Sequence, residues 1–415
     1  MSEELRAMEA LWLLIALTAI FGVAVLPAIR RRQERREFER AADTAQGMTR
    51  PAGDGRPEPK KPGISLSKGD DAPSGPARGG PVSSGGLVAV EELDLRLPGP
   101  DDDLVQALEE VQRTQDWRPA GQLLALTDGY EARWQRVQSL AGAAAMELAQ
   151  WHSAHGPAAG TPGHPDAPDA APDGRRDAGW LRAWRADEPS DPGGAQVYAQ
   201  FLVWQAMSDT GSADSRIILE EARTAAAEAA RMAPEDPTPH ITELFVARGL
   251  SYRKADFEAV WSEVTRRRRD HMGAHLAALS YWSETWHGSR DEAYGFAQSA
   301  AAGAPPKSLL PALPLFAVYD HLPDVQLSPT MYKGATIADA VQAAQFALHN
   351  TSPDHPVIPH VRHLLLCFLV RAERYEEAAE QVWAVDGYVG ALPWVNNANP
   401  AQEYAAYRAI AIGRR

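Results

Sequence analysis

The chain has 415 residues, 45% of them hydrophobic, and a formal net charge of −14. The apolar share is enough for a substantial core, whereas the acidic balance argues against a general nucleic-acid binder, which is ordinarily basic. Cys367 is the only cysteine, so no intramolecular disulfide can form and nothing demands an oxidising compartment.

The first element in chain order is an apolar run. Residues 10–29, ALWLLIALTAIFGVAVLPAI, contain no charged residue. Twenty helical residues rise about 30 Å, the thickness of a bilayer's hydrocarbon core. Trp12 stands near one end, where an interfacial indole belongs, and Pro27 near the other. Glu3, Glu4, Arg6 and Glu9 precede the run; Arg30, Arg31, Arg32, Arg35 and Arg36 follow it. This charge order is the reverse of a cleaved signal peptide's, and the apolar core is too long for one. The expectation is an uncleaved single-pass anchor in the cell membrane. Residues 1–9 then form a short extracytoplasmic N-terminus and residues 30–40 a basic juxtamembrane segment. The positive-inside rule puts everything after it in the cytoplasm; an envelope-facing domain of inverted topology is the weaker alternative.

Residues 41–100 are rich in Pro, Gly and Ser, as in PAGDGRPEPKKPG and GDDAPSGPARGGPVSSGG. Such a composition buries too little apolar surface to offset its ordering entropy and reads as a disordered linker. At about 60 residues its typical span is on the order of 40 Å. The expected folded domain occupies residues 101–415, interrupted by a second Pro/Ala-rich stretch at about 156–178 that reads as a disordered loop.

Within that domain the patterning is helical. Asp101 to Asp103 offer N-cap carboxylates ahead of Leu104, Leu108 and Val111. Pro119 suits the first turn of a helix carrying Leu123, Leu124 and Leu126. Trp134, Val137, Leu140, Leu148 and Trp151 mark a longer one. No segment alternates convincingly, so no sheet is expected. Five segments share small and aromatic residues, beginning near Ala222, Asp256, Asp291, Ile337 and Tyr375. The first three are about 34–35 residues apart, the period of a tetratricopeptide-type helix pair; the later spacings are longer. The predicted fold is all-α, a tetratricopeptide-like helical repeat (α-solenoid) behind one transmembrane helix.

AARMAPEDP resembles the end of a tetratricopeptide second helix, and RAERYEEAAEQ resembles that motif's helix–turn–helix junction, with Ala372 in place of the usual turn glycine. Scattered anchors (Trp180, Trp184, Pro189, Trp204, Pro234, Trp286, Gly288, Ser289, Glu292 and Phe296) resemble a bacterial helical-repeat domain family of unknown function over most of residues 101–415. The resemblance implies a tetratricopeptide-like fold and supplies no catalytic residues.

Candidate chemistry is sparse. His349, His355, His360 and His363 cluster in sequence. His360 and His363 at i and i+3 can share a helix face, so His355, His360 and His363 are the best metal-ligand candidates, although no further ligand completes a recognised spacing. His271 and His275, at i and i+4, are a weaker pair. Arg266 to Arg269 read as a solvated, dipole-complementing helix end, or else as a contact for anionic lipid. Trp286-His287-Gly288-Ser289 reads as a helix end, a turn and a capping box with Glu292. Cys367, in HLLLCFLV, reads as a buried small hydrophobe. Neither a phosphate-binding loop nor a G-x-S-x-G elbow is present. The functional expectation is a membrane-anchored adaptor or scaffold that binds a protein partner through a concave helical surface, with no cofactor. The alternative is a helical, metal-dependent hydrolase using the C-terminal histidines.

Overall fold

Helix starts in this chain follow local chemistry. The Asp101 carboxylate accepts the Leu104 amide at 3.1 Å and opens α1 (Asp102–Thr114). Pro119 lies in the first turn of α2 (Arg118–Ala125), which buries Leu123 and Leu124. Leu126, expected on that helix, falls one residue past its end and is 71% exposed. The chain continues through α3 (Tyr130–His155), α4 (Gly179–Asp187), α5 (Pro192–Ser208), α6 (Asp214–Met232), α7 (Thr238–Gly249) and α8 (Lys254–Arg267). It then forms α9 (Met272–Trp282), α10 (Arg290–Ala302), α11 (Leu313–Asp320), the single turn α12 (Pro329–Tyr332) and α13 (Ala335–Asn350). The last helices are α14 (Ile358–Arg371), α15 (Tyr375–Val385) and α16 (Pro400–Gly413). This computed structural model describes residues 86–155, 177–209, 212, 214–322 and 329–414. The expected anchor at 10–29, its flanks, the linker up to residue 85 and loop residues 156–176 lie outside the described residues. Among those described the fold is all-α, with one isolated parallel bridge between Asp94 and Tyr388, and no helix is long and apolar enough to cross a membrane.

The helices are of two kinds. α5, α7, α9, α11 and α14 are buried round most of their circumference; every residue from Met272 to Tyr281 of α9 is buried. α6, α8, α10, α13 and α15 bury one face and expose the other. The five recurring sequence segments all fall on this second, amphipathic set. The buried helices touch one another in series, α5 on α7, α7 on α9 and α9 on α11. The long α3 packs across α5, α7 and α9, closing the face that an open array would leave bare. Trp134 of α3 fills that contact, 5.9 Å from the Phe245 ring, with Gly273 leaving room for its indole.

Two large cores result, and α9 belongs to both. Met272, Leu276 and Leu279 face the C-terminal core, while Ala274, Ala277, Ala278 and Tyr281 face the N-terminal one. A second element bridges them: Leu93 enters the C-terminal core and Leu97 the N-terminal one. This corrects the expected linker boundary, because residues 88–100 are packed. The Val88 amide donates to Asp386 at 2.8 Å, Arg408 donates to the Val88 carbonyl at 2.8 Å and to Asp386 at 2.7 Å, and Gly390 donates to Leu97 at 2.9 Å. A side chain at Gly390 would meet the Leu97 backbone at 2.6 Å. The segment's composition is that of a linker, but its few apolar side chains find cores built by distant helices. The expected loop likewise ends earlier than 178, since Ala178 is 1% exposed and starts α4.

The Trp286–Ser289 turn is structural. Trp286 lies under the buried Arg248 guanidinium at 4.5 Å, and His287 Nε2 meets the Arg248 carbonyl at 3.0 Å. Ser289 caps α10 by accepting the Glu292 amide at 3.2 Å, and its hydroxyl donates to the Glu292 carboxylate at 2.9 Å. Gly288 makes the turn possible, because a Cβ there would stand 1.9 Å from the Trp282 carbonyl oxygen. That obstacle is backbone, so Gly288→Ala should cost roughly 2–4 kcal/mol in urea unfolding, against less than about 0.5 kcal/mol for Gly295→Ala, which meets nothing.

Candidate functional site

The polar residues concentrate where the amino ends of α3, α7 and α9 meet. Glu131, in the first turn of α3, accepts the Met272 and Gly273 amides at the start of α9, the latter at 3.2 Å. A carboxylate there complements the positive end of the helix dipole. His271 is the N-cap of α9: its Nδ1 accepts the Ala274 amide at 3.1 Å, and its Nε2 lies 3.3 Å from the Tyr130 carbonyl oxygen. The second Glu131 oxygen stands 3.2 Å from His271 Nδ1, and the first lies 3.7 Å from His355 Nε2. The Glu131 side chain is 17% exposed, and its carboxyl lies among these groups. Burial therefore pushes its carboxyl up to about 7, against the opposing pull of His355 and the two α9 amides. Burial also pushes the imidazoles of His271 and His275 down to about 4.

Two residues along α3, Arg133 pairs with Asp236 at 2.8 Å and donates to Gln196 at 3.0 Å; Gln196 in turn donates to Asp236 at 2.8 Å. Asp236 also accepts the Thr238 amide, at 2.8 Å, at the start of α7. Beside this network Thr127, Asp128, Tyr130, Arg133 and residues 233–236 line a cleft of about 380 Å³. Its carboxylates and aromatic ring suit a cationic group rather than an anion, and the Arg268 guanidinium already lies over the Tyr130 ring at 4.5 Å.

The candidate metal histidines do not assemble. His363 uses both nitrogens: Nε2 meets the Pro98 carbonyl at 2.9 Å, and Nδ1 accepts the Trp394 indole N–H at 2.9 Å. That leaves no lone pair for a metal. His355 belongs to the Glu131 cluster instead, its Nδ1 accepting the Val357 amide at 3.3 Å. His360 is buried on α14, and burial holds it well below its ordinary pKa, while His349 is exposed. No group of three metal-ligating side chains stands together among the described residues. His275 Nδ1 turns to the His271 carbonyl at 2.9 Å. Cys367 is buried, and burial pushes its thiol up.

Of the arginine run, Arg266, Arg268 and Arg269 are exposed at the helix end as expected, and Arg267 alone is enclosed. Arg267 has a side chain 6% exposed and holds Glu263 at 2.7 Å and the Pro234 carbonyl at 2.6 Å, fastening α8 to the turn before α7. Arg266 holds the same carboxylate at 3.0 Å.

The bonds that join Glu131, Arg133, Gln196 and Asp236 across helices leave no local signature, because they span 40 to 142 residues. The one sequence signal was Asp236 itself, inside AARMAPEDP. No protein family, curated protein or solved structure matches the chain.

Proposed function

We propose that this chain is a membrane-anchored, cytoplasmic protein of tetratricopeptide-like α-solenoid type that binds a protein partner. The observation carrying the reading is the alternation of fully buried and amphipathic helices, with the recurring segments confined to the amphipathic set. A stack of such pairs presents successive helix faces as one extended surface. The uncharged run at 10–29 and the arginines behind it supply the anchor and its orientation. A tether of this kind raises a partner's local concentration without any active site.

Because α3 closes the face of the buried helices, the partner surface is assigned to the amphipathic layer rather than to an inner groove. Two large aromatic side chains stand out there, Phe346 on α13 at 61% exposure and Trp383 on α15 at 52%. Aromatic residues of this kind dominate the energetics of interfaces. The test is affinity capture with the full-length chain in its membrane. Phe346→Asp or Trp383→Asp should lower partner recovery at least about tenfold while leaving the melting temperature unchanged. Recovery unaffected by both substitutions, or a C-terminal reporter active only outside the cell, would sink the proposal.

A further inference from the structure

The outer faces of α13 and α15 repeat one arrangement. Asp339 and Phe346 stand seven residues apart on the exposed side of α13, and Glu376 and Trp383 stand seven apart on that of α15, with Glu380 between them. Seven residues are close to two helical turns, so each carboxylate shares a stripe with its aromatic ring. The two stripes adjoin, because Gln345, next to Phe346, donates to Glu377, next to Glu376, at 2.7 Å. Phe346 therefore flanks the amino end of α15, and Trp383 lies about 10 Å further along that helix. The outer faces of α8 and α10 carry nothing comparable, exposing Ser262 and Arg266 on one and Gly295 and Ser299 on the other.

The charge on this face is one-sided. The neighbouring cations are engaged: Arg374 with Glu377 at 2.7 Å, Lys333 with Glu373, and Arg414 over the Tyr375 ring at 5.6 Å. Asp339 and Glu376 form no ion pair among the described residues. Glu380 feels the half-buried Arg362 of α14, which donates to Gln381 at 3.0 Å. A first-turn carboxylate such as Glu376 suits the dipole of α15, but Glu380 lies beyond that turn. Anionic lipid and nucleic acid would be repelled here, whereas a cationic side chain gains both the carboxylates and the indole face.

We propose that the outer face of α13 and α15 docks a basic, apolar-anchored segment of the protein partner: its apolar side chains meet Phe346 and Trp383, and its lysine or arginine side chains meet Glu376 and Glu380. The proposal rests on the reading that the amphipathic layer is the partner surface, and it adds the partner's chemistry. Rings supply the contact area, and the carboxylates between them select the sign of the partner's charge.

The test is fluorescence anisotropy of a labelled synthetic peptide with the full-length chain in uncharged detergent. The peptide is a helix former with leucines seven residues apart and arginines between them; its control carries glutamate for each arginine. The arginine peptide should bind, more weakly as salt is raised, and the glutamate peptide should not. Glu376→Lys with Glu380→Lys should weaken binding at least about tenfold, and so should Trp383→Ala. Glu235→Lys with Glu258→Lys makes the same change in net charge at exposed positions off this face, and should leave the affinity within about twofold. Should the double lysine variant fail to fold, Glu376→Gln with Glu380→Gln decides, since it puts no cation at the amino end of α15. No binding of the arginine peptide, equal loss from the two charge reversals, or equal binding of the glutamate peptide overturns the proposal. None of these results touches the partner surface itself, which falls only if partner recovery survives both Phe346→Asp and Trp383→Asp.

Discussion

Lowering the pH from 6.5 to 4 should unfold this domain, and buried histidines should account for the loss. His271, His275 and His363 are pushed down by burial from an ordinary value of 6.5 to about 4. A base with a depressed folded pKa contributes stability that is complete above 6.5. That stability is lost as the pH falls towards 4, because only the unfolded chain takes up the proton in that window. Each group is worth up to about 3 kcal/mol across it. His271 and His275 are close enough to titrate as a pair, so the contributions do not simply add. Glu131 acts in the opposite sense: its raised folded value makes it stabilising below about 4.5, an effect lost as the pH rises to about 7. With several histidines against one such carboxyl, the net slope is positive, and a domain stability at the low end of about 5–15 kcal/mol should be exhausted as the pH approaches 4. Chemical denaturation at stepped pH measures this, and His363→Gln should lower the proton uptake on unfolding at pH 5 by about one. A stability that is flat from pH 7 to 4.5 would refute the account.

Trp394→Ala should be among the most destabilising single substitutions in the chain. The indole is 0% exposed and lies edge-on to Tyr404 and Tyr407 at 5.7 and 5.1 Å. Removing a buried Trp leaves a cavity worth about 3–5 kcal/mol. The same change strips the N–H from His363 Nδ1, whose other nitrogen holds the Pro98 carbonyl at 2.9 Å. The damage should therefore reach the packed segment 88–100, seen as faster hydrogen exchange at the Gly390 amide, which bonds Leu97. Trp394→Phe separates the two effects, keeping most of the ring but losing the donor, and should cost about 1–3 kcal/mol. Urea midpoints within about 1 kcal/mol of the wild type for Trp394→Ala would show that the aromatic cluster is not a keystone of the C-terminal core.

The sequence by itself determined the helical class of the described domain and several helix starts, because those depend on neighbours. Asp101 caps α1, Pro119 opens α2 and Ser289 caps α10 through atoms within three residues. It also marked the amphipathic helices, whose half-exposed faces leave a period in the chain. The buried helices α5, α7 and α9 leave none, since they are enclosed round most of their circumference and no single exposed face sets a period. The tertiary structure alone decided that residues 88–100 join the fold, that Arg267 is enclosed, that α3 closes the buried layer, and that His355 meets Glu131 rather than His363. Each of these depends on a pair such as Val88–Asp386, 298 residues apart, or Glu131–Gly273, 142 apart. Contacts at such separation are fixed by how whole helices pack, and no spacing along the chain encodes them.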